Sequence, residues 1–395
     1  MNKASITLPI KLSNTFNRFF DSEKSSGILL IVFTLVSILL ANSAIGHAYL
    51  GLWQVHVAGL SLEHWINDGL MTIFFLLIGL ELEREIYVGE LSNFKNALLP
   101  IFAAVGGMLA PALIHYSLNQ ASPTQNGIGI PMATDIAFAL GVLALLGSRI
   151  PASLKVFVVA FAVIDDLGAI VLIAIFYTAQ FSLNYLLAAL LVWAVLILLN
   201  RRFRVMSLLP YMIGGIVMWF LMLKSGIHAT VAGIMLAFAI PFSVKDDDQQ
   251  SPSHKLEHFL HKPVAFIILP IFALANTGIT IEAGWMNELM STNSLGIGLG
   301  LIVGKPLGVG LFCFLAVMAG ICRLPSDLKW LHIIGAGILG GIGFTMSIFI
   351  TNLAFPASVE TINAAKMAIL LASLSAGLLG FIWFKLLTKT AAVSD

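Results

Sequence analysis

The stretch VFVVAFAVIDDLGAIVLIAIF, residues 156–176, decides the fold class of this chain. It is apolar except for two adjacent aspartates, Asp165 and Asp166, and the apolar run around it extends from about 152 to 177. A helix of about 20 apolar residues crosses the hydrocarbon core of a membrane. The stretch therefore predicts a membrane-spanning helix that carries two carboxylates near the bilayer midplane.

The composition of the whole chain points the same way. Of 395 residues, 59% are hydrophobic and 10% are charged, and the mean hydropathy is +0.97. Soluble domains carry about 25% charged residues, so a soluble enzyme, a disordered chain and a nucleic-acid-binding protein are excluded. Cys313 and Cys322 form neither a disulfide framework nor a metal-binding spacing. The ATP-binding pattern GxxxxGK[ST] does not occur in the sequence.

Apolar runs of spanning length recur along the chain and predict an all-α polytopic membrane protein with 12 transmembrane helices. The predicted spans are 27–45, 62–82, 97–118, 123–146, 152–177, 181–199, 207–223, 226–242, 259–276, 295–319, 329–351 and 361–386. We expect residues 1–395 to form a single transmembrane transporter domain. It comprises a cytoplasmic N-terminal segment (1–26), a helical bundle (27–386) and a cytoplasmic tail (387–395).

The basic residues orient this bundle. If the N-terminus is cytoplasmic, 18 of the 21 lysines and arginines fall at cytoplasmic ends or in cytoplasmic loops. Cytoplasmic loops of membrane proteins carry this excess, so both termini are predicted to lie inside. The segment before residue 27, with Phe16, Phe19 and Phe20, resembles an interfacial helix. The acidic residues 246–248 are interpreted as a solvated loop.

The outer segment 47–62 contains WQVHVAGLSL, in which apolar and polar residues alternate around a glycine. Alternation of this kind is typical of a short β-hairpin.

Four ionisable residues lie deep within the predicted spans: Asp135, Asp165, Asp166 and Lys305. Such groups cost roughly 2.5–3.5 kcal/mol each to insert and are functional candidates by default. Neighbouring residues on a helix point about 100° apart, so Asp165 and Asp166 are expected to face different surroundings. Lys305 requires a counter-charge, and either Asp165 or Asp166 can supply it.

Two spans contain signals for an interrupted helix. GIGIPMATD (127–135) combines glycines with Pro131, and GAGILGGIGFT (335–345) includes Gly341 and Gly343. Non-helical backbone at membrane depth is tolerated only where it lines a cavity or packs within protein. Thr134 and Asp135 lie where the first of these helices is expected to restart. Asp135 then has two compatible roles, as a helix cap and as compensation for the positive helix end.

The two interrupted spans occupy equivalent places in two triplets, spans 3–5 and spans 10–12. The triplets enter the membrane from opposite sides, which is typical of inverted-topology repeats with a binding site at their interface. The sequence thus predicts two discontinuous crossed helices, spans 4 and 11, with the four buried charges beside them.

A second charged group is expected at the cytoplasmic ends of spans 2 and 9. Glu81, Arg84 and Glu85 lie on one helix face, and Glu257 and His258 directly precede span 9. Histidine titrates in the physiological range, so both a pH gate and a solvated charge network remain open. His228 follows a glycine at the outer end of span 8, and both helix packing and pH sensing remain open for it.

Three other functions are less well supported by the sequence. A sodium-coupled symporter for an organic solute requires a further substrate pocket. An intramembrane aspartyl protease requires a GxGD motif, which is absent. A passive channel is disfavoured because a paired lysine and an inverted repeat do not suit an open pore.

Seven local motifs, taken in order and at their separations, give the chain a family resemblance. They are GLELERE (79–85), PMATDIAFAL (131–140), VIDDLGAI (163–170), KSGIHATVAG (224–233), LEHFLHKP (256–263), GKPLG (304–308) and GGIGFTMSIFI (340–350). The chain resembles the NhaA-type sodium/proton antiporters of bacterial inner membranes. This resemblance implies electrogenic exchange of cytoplasmic Na⁺ or Li⁺ for external H⁺, with no cofactor and with a role in pH and sodium homeostasis.

The resemblance also implies roles for individual residues. It makes Asp165 and Asp166 the ion- and proton-binding pair, with Lys305 pairing to Asp165 when neither proton nor ion intervenes. Thr134, Asp135 and Lys305 flank the unwound helices. The residues linked to pH activation are Glu81, Arg84, Glu85, Glu257 and His258, with His228 as a further candidate. The 47–62 hairpin corresponds to a homodimer contact. Glu83 departs from the family pattern, which has a basic residue there.

The chemistry of the buried residues agrees with that role. Na⁺ and Li⁺ prefer oxygen ligands, which Asp165, Asp166 and the Thr134 hydroxyl can offer. Protons and Na⁺ then compete for the same oxygens. Two acids can release two protons for one sodium, so we expect two protons per Na⁺ and net movement of charge.

Overall fold

The computed structural model describes residues 14–147, 150–177, 181–243, 250–281 and 284–391, and these residues are mostly helical. The acidic residues 246–248, the first 13 residues and the last four lie outside the described residues. In chain order the helices are α1 (Asn14–Ala41), α2 (Gly46–Trp53), α3 (Leu62–His64), α4 (Met71–Tyr87), α5 (Phe94–Asn119), α6 (Ile136–Leu146), α7 (Ala152–Phe176), α8 (Leu183–Arg201), α9 (Leu209–Ser225), α10 (Val231–Ala237), α11 (Pro252–Pro263), α12 (Leu269–Asn276), α13 (Trp285–Leu289), α14 (Thr292–Leu299), α15 (Lys305–Met318), α16 (Trp330–Gly340), α17 (Phe344–Ala354) and α18 (Val359–Ala391).

Three pairs of these helices are continuous through a short π-helical segment. The segments are Trp65–Leu70 between α3 and α4, Val264–Ile268 between α11 and α12, and Gly300–Gly304 between α14 and α15. In the last two pairs a proline, Pro270 or Pro306, lies two residues after the segment. Proline has no backbone N–H to donate, and the widened turn accommodates the missing hydrogen bond.

Eight helices of the described chain are long and apolar enough to cross a membrane, and up to ten if each of two bent pairs forms one span. The bent pairs are α1 with α2, at 118°, and α16 with α17, at 47°. The chain is thus a multi-pass helical membrane protein. The expected number of 12 spans exceeds what helix length and apolarity alone support.

The difference arises largely between residues 209 and 243. α9 has only 17 residues. The predicted span 226–242 contains only the seven-residue helix α10, so the prediction of a continuous helix there was wrong. Gly226 ends α9 with a left-handed φ of 83°. α10 is largely buried, and its Gly233 packs closely on the Thr72 carbonyl of α4. Backbone surrounded by protein rather than lipid does not have to be helical throughout.

The first helix also differs from expectation. α1 runs without a break from Asn14 to Ala41, so residues 14–26 belong to the first spanning helix and form no separate interfacial helix. Nothing in residues 14–26 is a proline or glycine that would stop a helix.

The predicted hairpin is confirmed only in its second half. Residues 46–53 form α2, and the hairpin is limited to strands β1 (His56–Val57) and β2 (Leu60–Ser61), with Val57 opposite Leu60. Ala58 and Gly59 both have positive φ, at 53° and 85°. A two-residue turn of this kind matches the twist of paired strands, and the alternation that predicted it extends no further than these six residues.

Two helical segments are interrupted inside the bundle. A 3₁₀ segment, Gln125–Met132, is followed by extended backbone at 133–135, after which α6 begins. α16 ends at Gly340, and α17 begins at Phe344. The second break is therefore confined to residues 341–343, and three of the five glycines in the 335–345 motif are helical.

Close packing of α5 against α15 supports these breaks from one side. Gly106 of α5 and Gly308 of α15 face each other, and a Cβ atom on either would overlap the carbonyl oxygen of the other. Small residues allow helix backbones to approach this closely in membranes. Lys305 lies one turn before this contact, on the same helix.

Candidate functional site

Asp135 joins the two interruptions. It is the N-cap of α6, where its Oδ1 accepts a hydrogen bond from the Phe138 amide at 3.3 Å. Its Oδ2 accepts hydrogen bonds from the amide and the hydroxyl of Thr345 at 3.1 and 2.5 Å, in the first turn of α17. One carboxylate therefore serves the positive N-terminal ends of two half-helices.

Backbone atoms of the two breaks also contact each other directly. The Asp135 amide donates to the Ile342 carbonyl at 2.6 Å, and the Thr134 hydroxyl donates to the Gly340 carbonyl at 2.9 Å. Gly341 and Gly343 both pack closely at this contact. A Cβ atom on Gly341 would overlap the Leu301 carbonyl, and one on Gly343 would overlap the Ser347 hydroxyl.

Lys305 extends from α15 into the same place and is fully buried. Its Nζ donates to Asp165 Oδ2 at 2.7 Å, to Thr134 Oγ1 at 2.9 Å, and to the Met132 carbonyl oxygen. The three donors of an ammonium group are thus all used. The Met132 carbonyl ends the 3₁₀ segment, so the lysine charge compensates the negative end that the break exposes.

Asp165 and Asp166 both lie in the middle of α7, and both are buried. Asp165 faces Lys305, whereas Asp166 makes no ion pair among the described residues. The Oδ1 atoms of both aspartates are buried without a hydrogen-bond partner in the described part of the chain. Such atoms are costly to bury, so each aspartate keeps a carboxylate oxygen available for a proton or a cation.

The buried charges interact with one another over longer distances. Asp165, Asp135, Lys305 and Glu81 all act electrostatically on Asp166. Three of these four are acids, so Asp166 lies among like charges.

The charged group predicted at the ends of spans 2 and 9 is assembled by α4 and α11. Arg84 pairs with Glu257 at 3.0 Å and contacts Glu85 at 3.6 Å. Glu83 is buried and accepts a hydrogen bond from the Ser253 hydroxyl at 3.3 Å, in the first turn of α11. His258 is exposed, one residue beyond Glu257.

His228 lies elsewhere. Its Nε2 donates to the Tyr177 carbonyl at 2.9 Å, beyond the end of α7, and its charged neighbours are Asp68 and His64. The structure therefore separates His228 from the group around Arg84.

Sequence reasoning missed Thr345 and the Met132 carbonyl. Thr345 follows the glycine break directly, and a hydroxyl in the first turn after a break is the signal that could have identified it. The Met132 carbonyl became available because the helix stops there, which no side-chain pattern encodes.

The donor set suits a small hard cation. No group of three or more histidine, cysteine or acidic side chains in the described residues could hold a metal ion. Two carboxylates, a hydroxyl and backbone carbonyls are the ligand types that alkali and alkaline-earth cations take.

A multi-pass helical protein with two touching helix breaks and a buried lysine–aspartate pair belongs to the class of secondary transporters. Comparison with known proteins specifies the family. Residues 17–384 match the family model described as Na⁺/H⁺ antiporter 1, and the chain belongs to this antiporter family.

Relatives from several bacteria cover almost the whole chain. The Na(+)/H(+) antiporter NhaA of Dechloromonas aromatica is 71% identical over 94% of this chain and 96% of its own. That of Cytophaga hutchinsonii is 60% identical over 96% of this chain and 97% of its own. That of Vibrio alginolyticus is 49% identical over 94% of this chain and 97% of its own.

Proposed function

We propose that this protein exchanges Na⁺ or Li⁺ for H⁺ across the bacterial inner membrane, without a cofactor and without covalent catalysis. The observation that carries the proposal is the buried Asp165–Asp166 pair beside Lys305, with two carboxylate oxygens that no described hydrogen bond occupies. Family membership supports the same activity, since the relatives are named as Na⁺/H⁺ antiporters.

The ion is held by Asp166, Asp165 and the Thr134 hydroxyl, with backbone carbonyls of the first break completing the shell. Na⁺ can reach Asp165 Oδ2 only by displacing the Lys305 ammonium, which occupies that oxygen at 2.7 Å. Protons that bind these carboxylate oxygens compete with Na⁺ for the same positions. Asp135 and Lys305 remain as the compensating charges of the half-helix ends.

Competition for one set of oxygens produces coupled exchange if only the loaded forms reorient across the membrane. Two protons for each Na⁺ move one net charge per cycle. One charge crossing 100 mV is worth about 2.3 kcal/mol, so an interior-negative potential drives Na⁺ out of the cell. Exchange in this direction serves sodium and pH homeostasis.

We place this mechanism on twelve membrane crossings in one domain with both termini cytoplasmic. Spans 3–5 correspond to α5, the interrupted 125–146 segment and α7. Spans 10–12 correspond to α14–α15, the α16–α17 pair and α18. These triplets form the inverted repeats, and the interrupted helices cross at the contact of Asp135 with Ile342.

The group around Arg84 is the pH-responsive element of the proposal, with Glu81, Glu85, Glu257 and His258. It joins the cytoplasmic ends of α4 and α11, and Glu81 also acts electrostatically on Asp166. Protonation in this group is thereby coupled to charge at the ion site. His228, which is bound to the Tyr177 carbonyl, contributes to pH response from the outer side.

The hairpin at 56–61 and the neighbouring α2 form the homodimer contact in this proposal. Val55 and Val57 are about half exposed there, and an exposed strand pair offers backbone groups for pairing with a second copy.

The proposal is tested in inside-out vesicles that carry a proton gradient. Addition of NaCl or LiCl should dissipate the gradient between pH 6 and 9, whereas KCl should not. Asp166→Asn should abolish the response, and Asp327→Asn, an exposed aspartate, should retain it. A wild-type protein that does not respond to either ion, or an active Asp166→Asn variant, would overturn the proposal.

A further inference from the structure

Phe161 lies one helical turn before Asp165 on α7 and is fully buried. Its ring occupies a slot between two glycines from other helices. A Cβ atom on Gly107 of α5 would lie 3.2 Å from the ring, and one on Gly340 of α16 would lie 3.0 Å from it. A slot this narrow holds the ring in one orientation.

The ring faces the ammonium group of Lys305. Lys305 Nζ lies over the Phe161 ring, 5.7 Å from its centroid. The three N–H donors are occupied by Asp165, Thr134 and Met132, so the aromatic face is a fourth, non-hydrogen-bonding contact. A cation within about 6 Å of an aromatic face is attracted by the ring quadrupole, and the attraction strengthens where water is excluded.

Phe161 also stacks on a residue that lines a cavity. Phe157, one turn earlier on α7, stacks on Phe161 with centroids 6.3 Å apart and planes at 13°. Phe157 and Ala160 line a cavity of about 680 Å³ whose other lining residues include Lys95 and Arg323, near the ends of α5 and α15. The stacked rings thus connect the wall of the cavity, at Phe157, to the ammonium of Lys305.

We propose that Phe161 is a positioning residue of the exchange site, whose aromatic face holds the Lys305 ammonium in its pair with Asp165. The inference rests on the proposed function. If Na⁺ binds both carboxylate oxygens of Asp165, it displaces Lys305 from Oδ2. Any contact that favours the paired position of the ammonium then raises the Na⁺ concentration needed for exchange. Phe161 therefore sets the apparent affinity for Na⁺ without touching the ion.

The decisive experiment replaces Phe161 with mono-, di- and trifluorophenylalanine in the full-length protein. Fluorine withdraws electron density from the ring face and weakens its attraction for a cation, with little change of shape. We expect the KM for Na⁺ at fixed pH to fall stepwise, by about threefold to tenfold over the series. The same series at Phe157, which stacks on the ring but makes no described contact with Lys305, should leave the KM unchanged.

Phe161→Leu and Phe157→Leu repeat the comparison with ordinary residues, and a lower KM is expected only for Phe161→Leu. A merely structural role would reduce the amount of folded protein or the maximal rate, but would not tighten Na⁺ binding. An unchanged or raised KM in the Phe161 series, in a wild-type protein that exchanges Na⁺, would overturn this inference alone. A wild-type protein without exchange would overturn the proposed function as well.

Discussion

The backbone amide of Asp135 donates a 2.6 Å hydrogen bond to the carbonyl oxygen of Ile342, and this bond ties one helix break to the other. In a membrane, polar backbone groups left free by a break have no water to bind. Here polar backbone groups of one break form hydrogen bonds with those of the other. The Asp135 carboxylate caps the two helices that begin after the breaks, α6 and α17. The interruption of each helix is therefore stabilised by the interruption of the other.

Thr345→Ala tests this mutual support. The substitution removes the hydroxyl that donates to Asp135 Oδ2 and leaves the carboxylate oxygen with the Thr345 amide alone. A lost bond to a buried charged group costs about 1–3 kcal/mol. We expect a lower melting temperature in detergent and slower Na⁺/H⁺ exchange in vesicles.

Thr351→Ala is the matched control on the same helix, α17. The Thr351 hydroxyl donates only to the Ser347 carbonyl one turn earlier, so its loss should leave exchange near the wild-type rate. Equal effects of the two substitutions on stability and exchange would contradict a specific role of the bond between Thr345 and Asp135.

The buried ion pair of Lys305 with Asp165 predicts how the free energy of unfolding differs among three variants. Lys305→Met leaves Asp165 buried without its counter-charge and should destabilise the fold by about 3–5 kcal/mol. Adding Asp165→Asn removes the orphaned charge, so the double variant should recover most of the loss. Thermal unfolding of the two single variants and the double variant measures this coupling. The double variant should still lack normal exchange, because an ion ligand is missing.

Additive losses in the two single variants would contradict a direct pair. A double-mutant cycle gives this result without assuming how the energy is divided between the partners.

Much of the site could be predicted because membrane depth makes a charge conspicuous. Asp135, Asp165, Asp166 and Lys305 were identifiable from their positions in apolar runs, and the structure brings Asp165, Lys305 and Thr134 into contact. The choice of Asp165 over Asp166 as the partner of Lys305 was left open by helix geometry alone. That choice depends on which face of α7 meets α15, which is a tertiary property.

Other features gave no such signal. Phe161 is one aromatic residue among many in apolar helices, and its role depends on two glycines more than 50 residues away on either side in the chain. Span 226–242 was predicted as one helix because its residues are apolar, yet the same apolarity suits a short helix packed inside the protein. Apolar composition does not distinguish lipid-facing from protein-facing backbone.

The close approach of α5 and α15 predicts a sharp difference between two glycine substitutions. Gly106→Ala places a methyl group against the Gly308 carbonyl, where backbone rather than a flexible side chain must shift. Overpacking of this kind costs about 1–3 kcal/mol. We expect a lower melting temperature and reduced exchange, because α15 carries Lys305.

Gly298→Ala on α14 is the control. No described atom lies within 4 Å of the Cβ position there, so alanine should be neutral or stabilising by up to about 1 kcal/mol through its helix propensity. A Gly106→Ala variant as stable as Gly298→Ala would contradict the backbone contact.

Glu83 offers the prediction most specific to this chain. Its buried carboxylate accepts from Ser253 in the first turn of α11 and lies near Glu257, which pairs with Arg84. The group thus holds Glu81, Glu83, Glu85 and Glu257 around one arginine, with His254, His258 and His261 on α11. Glu83 and Glu257 repel each other when both are ionised.

Glu83→Gln removes that charge while keeping an oxygen that can accept from Ser253. Glu257 then no longer faces a like charge at this position, so the rise of exchange with pH should begin at lower pH. A unit charge several ångströms away in a partly screened site corresponds to a shift of about 0.5 to 1 pH unit. Exchange rates in vesicles measured from pH 6 to 9 give the half-maximal pH. Glu360→Gln removes an exposed acid at the start of α18 and should leave this half-maximal pH unchanged. A shift of equal size in the Glu360→Gln variant would indicate a general effect of charge and would contradict a local role of Glu83.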